Sequence, residues 1–346
     1  MPAPVASVAW WRDRLLERIA GRRVVASISG GKDSAAMSLW LTEQGVEHDR
    51  VFMDTGWEHP ETYDYLRGPL TAKLGPIKEI RGARTMEELI RHKGMFPGRL
   101  VRFCTQELKV FPARDYLRAL PYEPINAVGI RAAESEARAR FMEWEWLSDF
   151  DCDVWRPLLR WTEEEVIGIH RWHGLAPNPL YLRGASRVGC WPCIFSRKAE
   201  IRMVADTDPG RIDLLRQLES DVQAAAAARY ARHGESLESK GYLPPTFFSR
   251  RESGGETAMM PIDQVVRWAR TGNGGRQFDL FAPEHEEGCV RWGVCEPPAA
   301  PETLPRTSSA QPEPDPLAAT GAPERGFCAS EEVNASPAAG PKEGAK

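Results

Sequence analysis

A short polar run between a strand-like and a helix-like stretch constrains this chain most. The apolar residues 24–28 lead into SGGKDS at Ser29–Ser34, and a helical pattern near 32–45 follows. Paired glycines let backbone N–H groups approach an anion closely, and the start of a helix favours negative charge. The Lys32 ammonium and the hydroxyls of Ser29 and Ser34 add hydrogen-bond donors. The run therefore predicts a loop that binds phosphate groups.

This loop is not a Walker A loop. The G-x-x-x-x-G-K-[ST] spacing would need glycine at the position of Ala26, and Ser or Thr at the position of Asp33. A plain strand-to-helix turn is the simpler alternative. That alternative explains the glycines, but it does not explain Lys32, Asp33 and the flanking serines. A nucleotide chemistry other than that of Walker A proteins is therefore favoured.

Strand-like and helix-like segments alternate along the first part of the chain. The strand-like segments are 24–28, 50–53, 76–80 and 125–130, and the helix-like segments lie near 32–45, 61–74, 85–93 and 108–119. This alternation predicts an α/β fold with a Rossmann-like parallel sheet and helices on both faces. Ligands of such sheets bind beyond the carboxyl ends of the strands, where Ser29–Ser34 and Asp54-Thr55-Gly56 both fall.

The pattern changes after residue 161, and four regions are predicted. Residues 1–20 form an N-terminal helix, and 21–200 form the nucleotide-binding domain. Residues 201–296 form a mainly helical region that completes a cysteine site, and it includes a long helix at 208–232. Residues 177–187 read as a loop. Residues 297–346 are rich in Pro, Ala, Glu and Ser, so they are predicted to be disordered.

Composition and net charge indicate the class of protein and its cellular compartment. With 346 residues, 42% hydrophobic and 27% charged, it is typical of a globular protein. No apolar run is long enough for a membrane span or a signal-peptide core, which favours a cytoplasmic protein without a membrane partner. The net charge of −4 creates no global attraction for nucleic acid, although the basic stretch 131–140 permits local contact. An oligomer is possible.

Polar residues also follow the later strands. Gly129 and Arg131 follow the segment 125–130, and an arginine there can bind phosphate or sulfate in a bidentate manner. Carboxylates such as Asp54 can hold Mg²⁺ or a ribose hydroxyl. Two simpler interpretations remain: Asp54 could cap the next helix, and Arg131 could be a solvated helix charge.

The order of motifs over about residues 20–200 resembles the phosphoadenylylsulfate (PAPS) reductase family. This family belongs to the PP-loop ATP pyrophosphatase, or adenine nucleotide alpha hydrolase-like, superfamily. The motifs are SGGKDS, DTGWEHPETYDYL, RFCTQELKVFPARDYL, GIRAAESEARAR, RPLLRWTEEEV and NPLYLRGASRVGCWPC. The resemblance implies an adenine nucleotide, ATP or PAPS-like, with Mg²⁺, and catalytic roles for Lys32, Asp33 and Arg131. The implied nucleotide-binding residues are Ser29, Gly30, Gly31, Lys32, Asp33, Ser34, Asp54, Thr55, Gly56, Gly129 and Arg131.

The resemblance also gives the cysteines a role. Adenylylsulfate reductases of this family hold a [4Fe-4S] cluster on a CC-x-x-x-K-x-x-P pair and a later G-C-x-x-C. Here Cys104 precedes Lys109, Phe103 stands beside it in place of a cysteine, and Cys190 and Cys193 form the second half. A cubane cluster needs four ligands, so Cys289 or Cys295 is the implied fourth. Zinc on Cys190, Cys193, Cys289 and Cys295 is an alternative, as is no metal at all.

The chain lacks the C-terminal Glu-Cys-Gly-x-His segment of sulfonucleotide reductases. The favoured function is therefore nucleotide-activated sulfur transfer or modification, by a transferase or an oxidoreductase, broadly similar to the sulfur-transfer enzymes of DNA phosphorothioation. The sulfur donor and the acceptor are unknown, and the acceptor could be nucleic acid. Two alternatives remain open: a true phosphoadenylylsulfate or adenylylsulfate reductase that releases sulfite, and a zinc-stabilised nucleotide-binding module without redox activity.

Overall fold

The computed structural model describes residues 14–251, 257–271 and 292. Its centre is a six-stranded sheet in the order β3-β2-β1-β4-β6-β5, in which all neighbours are parallel except the β5–β6 pair. The strands are β1 Arg23–Ile28, β2 His48–Asp54, β3 Lys78–Arg81, β4 Pro124–Val128, β5 Trp144–Leu147 and β6 Cys152–Trp155. The prediction of a Rossmann-like, mostly parallel sheet is confirmed.

Helices connect these strands and continue after the sheet. The sheet helices are α1 Lys32–Glu43, α2 Pro60–Tyr65, α3 Thr71–Leu74, α4 Met86–Lys93, α5 Phe103–Thr105, α6 Phe111–Arg118, α7 Glu136–Ala139, α8 Glu163–Trp172 and α9 Pro179–Leu182. The π-helical turns Leu66–Leu70 and Gln106–Val110 join α2 to α3 and α5 to α6. Beyond the sheet lie α10 Lys198–Thr207, α11 Pro209–Ala231, the antiparallel strands β7 Phe248–Arg251 and β8 Thr257–Met260, and α12 Ile262–Arg270.

Most predicted elements are present, and two features differ. The predicted loop at 177–187 contains α9, which begins after Asn178; the Asn178 side chain accepts a hydrogen bond from the Leu180 N–H. The β5–β6 hairpin was not predicted, and it adds an antiparallel edge to the sheet. Its tryptophans pack on each other, with the Trp144 and Trp155 rings stacked 4.8 Å apart. Each strand has only four residues, and an apolar–polar alternation of three residues, as in Trp144-Glu145-Trp146, is too short to predict a strand.

Two hydrophobic clusters hold the described residues together. The first joins the sheet to α1 and α8, and it includes Leu41, Ile125 and Val166. The second joins α4 to α10, α11 and α12, and it includes Leu89 and Leu218. Among the described residues, no helix is both long and apolar enough to cross a membrane. The predicted tail 297–346 lies outside the described residues, and the predicted region boundaries stay predictions.

Candidate nucleotide and thiol site

The loop after β1 is closed by its own serines. The Ser29 N–H donates to the Ser34 Oγ at 3.0 Å, and the Ser34 hydroxyl donates to the Gly31 carbonyl at 3.1 Å. Gly30 has a φ of +74°, which side chains rarely adopt, so glycine is required for this turn. Gly31 directly precedes α1, so the N–H groups of the first helical turn have no acceptor within the helix. The arrangement suits the binding of an anion.

Three side chains from a distant segment support the loop backbone. His170 Nε2 lies 2.9 Å from the Lys32 carbonyl, and Asn178 Nδ2 donates to the Gly30 carbonyl at 3.3 Å. The Lys32 N–H donates to the Tyr181 Oη at 3.1 Å. The sequence-based interpretation did not include these three residues in the site. The NPLY motif was a signal for Asn178 and Tyr181, but motif order alone does not show what a residue contacts.

Three buried or half-buried charges meet at the loop. Asp33 receives the Lys32 Nζ at 3.0 Å on one carboxylate oxygen and the Arg131 Nε on the other. Burial alone would raise the pKa of Asp33, but the Lys32 and Arg131 charges outweigh it and hold its pKa below the usual value. Burial lowers the pKa of the Lys32 ammonium, and Asp33 offsets part of that shift. Arg131 is only 6% exposed, so its interpretation as a solvated charge is wrong.

Gly129 lets the end of β4 approach the start of α1. A Cβ at Gly129 would lie 3.0 Å from the Asp33 carbonyl oxygen and from the Ser34 backbone nitrogen. Beside this contact, Arg131, Leu159, Arg160, Trp161 and Glu163 contribute to the lining of a cavity of about 440 Å³. The cavity therefore lies next to the charged groups of the loop and is large enough for part of a nucleotide.

Asp54 is the last residue of β2, and it makes several hydrogen bonds at the carboxyl end of this strand. Its carboxylate accepts hydrogen bonds from the Gly56 N–H at 2.9 Å and the Tyr63 hydroxyl at 2.7 Å, and it pairs with Arg81. These hydrogen bonds lower the pKa of Asp54 although burial opposes the shift. The cap of α2 is His59, whose side chain accepts from the Glu61 N–H, so the interpretation of Asp54 as the helix cap is wrong.

Three cysteines, Cys104, Cys190 and Cys193, lie near Lys109, close to the loop that follows β2. The charges of Cys190, Cys193 and Cys104 raise the pKa of Lys109, with Cys190 the largest cause. Burial raises the pKa of the Cys190 and Cys104 thiols. Counting back from Lys109 along CC-x-x-x-K places Cys104 at the first cysteine of that pattern. Thr105, rather than Phe103, therefore replaces a cysteine.

The cysteine site is not closed within the described residues. Over residues 14–251, 257–271 and 292, no group of three or more His, Cys, Asp or Glu side chains is arranged to hold a metal ion. Cys289 and Cys295 lie outside the described residues. The expected C-terminal metal site is therefore not shown. Cys152 lies in the sheet core and is buried.

The loop that follows β2 contacts both the residues around Asp54 and the turn that carries Cys190 and Cys193. Trp57 Nε1 donates to the Pro192 carbonyl at 3.0 Å, and the Trp191 N–H donates to the Trp57 carbonyl at 2.8 Å. The buried Glu58 carboxylate accepts from the Thr55 hydroxyl at 2.8 Å and from the Tyr63 hydroxyl at 3.0 Å. The residues that follow β2 thus connect Asp54 to the turn that carries Cys190 and Cys193.

Comparison with known proteins identifies the family. A family model described as the phosphoadenosine phosphosulfate reductase domain matches residues 23–196. The chain belongs to this family. A 37.8 kDa protein of Escherichia phage 186 is 33% identical over 331 residues, which span 79% of this chain and 96% of the phage protein. This second match covers most of the chain, including the region after the family domain.

Two further matches carry named activities. The adenosine 5'-phosphosulfate reductase of Mycolicibacterium smegmatis is 27% identical over 190 residues, which span 53% of this chain and 74% of that enzyme. A crystal structure of phosphoadenylyl-sulfate reductase from Candida auris, in a phosphate complex, superimposes with a TM-score of 0.39 at 18% identity. It covers 55% of this chain and 97% of that chain.

The structure brings the predicted residues together in two groups. Around the first strand exit lie the loop residues, Gly129 and Arg131; Asp54, Thr55 and Gly56 lie at the neighbouring exit of β2. Cys104, Cys190 and Cys193 gather near Lys109. The roles of all these residues stay predictions.

Proposed function

We propose that this PAPS reductase-family chain is an enzyme that binds the phosphates of an adenine nucleotide at Ser29–Ser34 and uses it for sulfur transfer or modification. The buried charge group of Lys32, Asp33 and Arg131 carries the proposal. Glu163 lies 3.3 Å from the Lys32 ammonium, so the two cations are paired with two carboxylates, Asp33 and Glu163. Lys32 and Arg131 would exchange these partners for phosphate oxygens, and the N–H groups at the start of α1 would add further donors.

In the proposed reaction an acceptor oxygen attacks the α-phosphate of ATP. The new O–P bond forms while the bond to pyrophosphate breaks, and a sulfur nucleophile later displaces AMP. Lys32, Arg131 and the loop N–H groups would stabilise the charge that grows on the departing pyrophosphate. Asp33 and Asp54 already pair with arginines, so the phosphates themselves would supply most ligands to Mg²⁺.

Three cysteine thiols lie near the Lys109 ammonium. Thiolates are soft ligands, so this set suits iron better than a hard cation such as Mg²⁺. We assign a [4Fe-4S] cluster to Cys104, Cys190 and Cys193, with Cys289 or Cys295 as the fourth ligand. Such a cluster would hold or deliver sulfur when bound. Lys109 would offset the negative charge of the thiolates, and Trp57 would hold the turn that carries two of them.

Binding and product analysis test the nucleotide proposal. Calorimetry with ATP and Mg²⁺ should show binding, and Lys32→Ala should weaken it at least tenfold because a charge-assisted contact is lost. Lys73→Ala, on the helix α3, is the matched control. Pyrophosphate release would support transfer, whereas sulfite release from PAPS with reduced thioredoxin would support a reductase. Absence of heat with both nucleotides would contradict the proposal.

Metal analysis tests the cluster separately. Anaerobically purified protein should be brown and hold about four iron atoms and four sulfides per chain. Cys190→Ser should remove the colour, whereas Cys152→Ser should keep it, because Cys152 lies in the sheet core. Colourless protein with stoichiometric zinc would overturn the cluster and support the zinc-stabilised module.

A further inference from the structure

The Tyr181 hydroxyl lies against the loop although it comes from α9, far along the chain. It accepts the Lys32 N–H at 3.1 Å, and it would lie 3.3 Å from a Cβ at Gly31. The Lys32 ammonium lies 5.6 Å from the centre of the same ring. The side chain therefore contacts the loop through its hydroxyl and through its ring.

This hydroxyl has an unused donor. Tyr181 is only 6% exposed, and in its hydrogen bond with the Lys32 N–H the phenolic oxygen is the acceptor. Within the part of the chain that the structure describes, no acceptor takes the phenolic proton. A buried O–H group without an acceptor is unfavourable, which points to a ligand that accepts it.

We propose that Tyr181 is a further anion-binding residue of the loop, donating its phenolic proton to an oxygen of the nucleotide's terminal phosphates. The proposal rests on the function proposed above and extends it to a residue outside the PP-loop. By holding the Lys32 N–H and an oxygen of the ligand at once, the hydroxyl would link the loop backbone to the leaving pyrophosphate.

The surroundings of Tyr181 hold its ring in place. Trp292 packs on one side with ring centres 5.6 Å apart, and its carbonyl accepts from the Arg171 Nε at 3.0 Å. Trp292 also packs against His170, the residue whose ring faces the Lys32 carbonyl. The hydroxyl is therefore held by packing, so its position does not depend on the ligand.

The test compares ligands with and without terminal phosphates. Calorimetry on the full chain would use ATP with Mg²⁺, inorganic pyrophosphate and AMP, for wild type, Tyr181→Phe and Tyr122→Phe. Tyr122 donates to Asp49 at the opposite end of the sheet, so it is the matched control. Tyr181→Phe should weaken ATP and pyrophosphate binding roughly ten- to hundredfold, and it should change AMP binding less than about twofold. Tyr122→Phe should change none of them.

The outcomes separate this proposal from the previous one. If wild type binds ATP but Tyr181→Phe binds it equally well, or loses AMP affinity to the same extent, the anion contact is wrong and the proposed function stands. If wild type binds no nucleotide, both fail. If Tyr181→Phe does not fold, wild-type protein labelled with ¹³Cζ-tyrosine decides. Pyrophosphate, but not AMP, should then shift one tyrosine resonance, and no shift would overturn the proposal.

Discussion

His48 is an uncharged histidine at the start of β2. Its Nδ1 lies 2.8 Å from the Val46 carbonyl, and its Nε2 lies 2.7 Å from the Ser38 hydroxyl. That hydroxyl also accepts from the Arg50 Nε at 2.9 Å. The Val46 carbonyl can only accept, so Nδ1 carries the proton of the neutral ring and Nε2 accepts the Ser38 proton. Burial lowers the pKa of His48 to about 4, and the Arg50 charge acts in the same direction.

His48 should make the protein less stable in mild acid. The unfolded chain takes up a proton near pH 6.5 and the folded chain only near pH 4, so stability is lost as the pH falls through this window. Between pH 7.5 and pH 5.0 the loss should be about 2 kcal/mol. Urea unfolding of wild type and His48→Gln would measure it. An equal pH dependence in both proteins would contradict this prediction.

Two glycines offer a matched pair of substitutions. Gly129→Ala should abolish nucleotide binding, because the new Cβ would meet the backbone of Asp33 and Ser34 at 3.0 Å. Gly168, within α8, has open space around its Cβ position. Gly168→Ala should keep binding and raise the free energy of unfolding by about 0.5–1 kcal/mol. Calorimetry and denaturant unfolding measure the two effects, and normal binding by Gly129→Ala would show that the loop tolerates displacement.

At the scale of elements, Trp57 joins the exit of β2 to the turn before α10. The side chain is buried, and its indole N–H is held by the Pro192 carbonyl. Loss of one such hydrogen bond costs about 1 kcal/mol, which changes a local opening equilibrium roughly fivefold.

Trp57→Phe should therefore expose the neighbouring thiols. Iodoacetamide should alkylate Cys190 and Cys193 roughly five times faster in metal-free Trp57→Phe than in metal-free wild type. Trp172→Phe is the control, because Trp172 is 82% exposed. Identical alkylation rates in the three proteins would show that the turn is held by other contacts.

At the scale of the whole molecule, the two hydrophobic clusters should unfold together. All described residues fall within one compact unit. Leu41 in the first cluster and Leu218 in the second are both fully buried. Leu41→Ala and Leu218→Ala should each lower the free energy of unfolding by about 2–5 kcal/mol and lower the same calorimetric transition. Two transitions that move separately would contradict this.

Local signals were sufficient for four of the six strands of the sheet and for the loop. Short apolar runs separated by helical periods predicted β1 to β4, because each element buries residues at its own period. SGGKDS predicted the phosphate loop, because the backbone freedom of glycine is a property of the residue itself. The β5–β6 hairpin is not predicted, because its strands have only four residues each and the stacking of Trp144 on Trp155 is a contact between strands.

The sequence by itself determined the fold class, the family and the position of the loop, because these follow from patterns between near neighbours in the chain. Only the tertiary structure decided what surrounds the loop. His170, Asn178 and Tyr181 contact it from about 140 to 150 residues away, and Arg131 lies buried against Asp33. Such contacts depend on how the sheet and its helices pack, and no local pattern of residues encodes that packing.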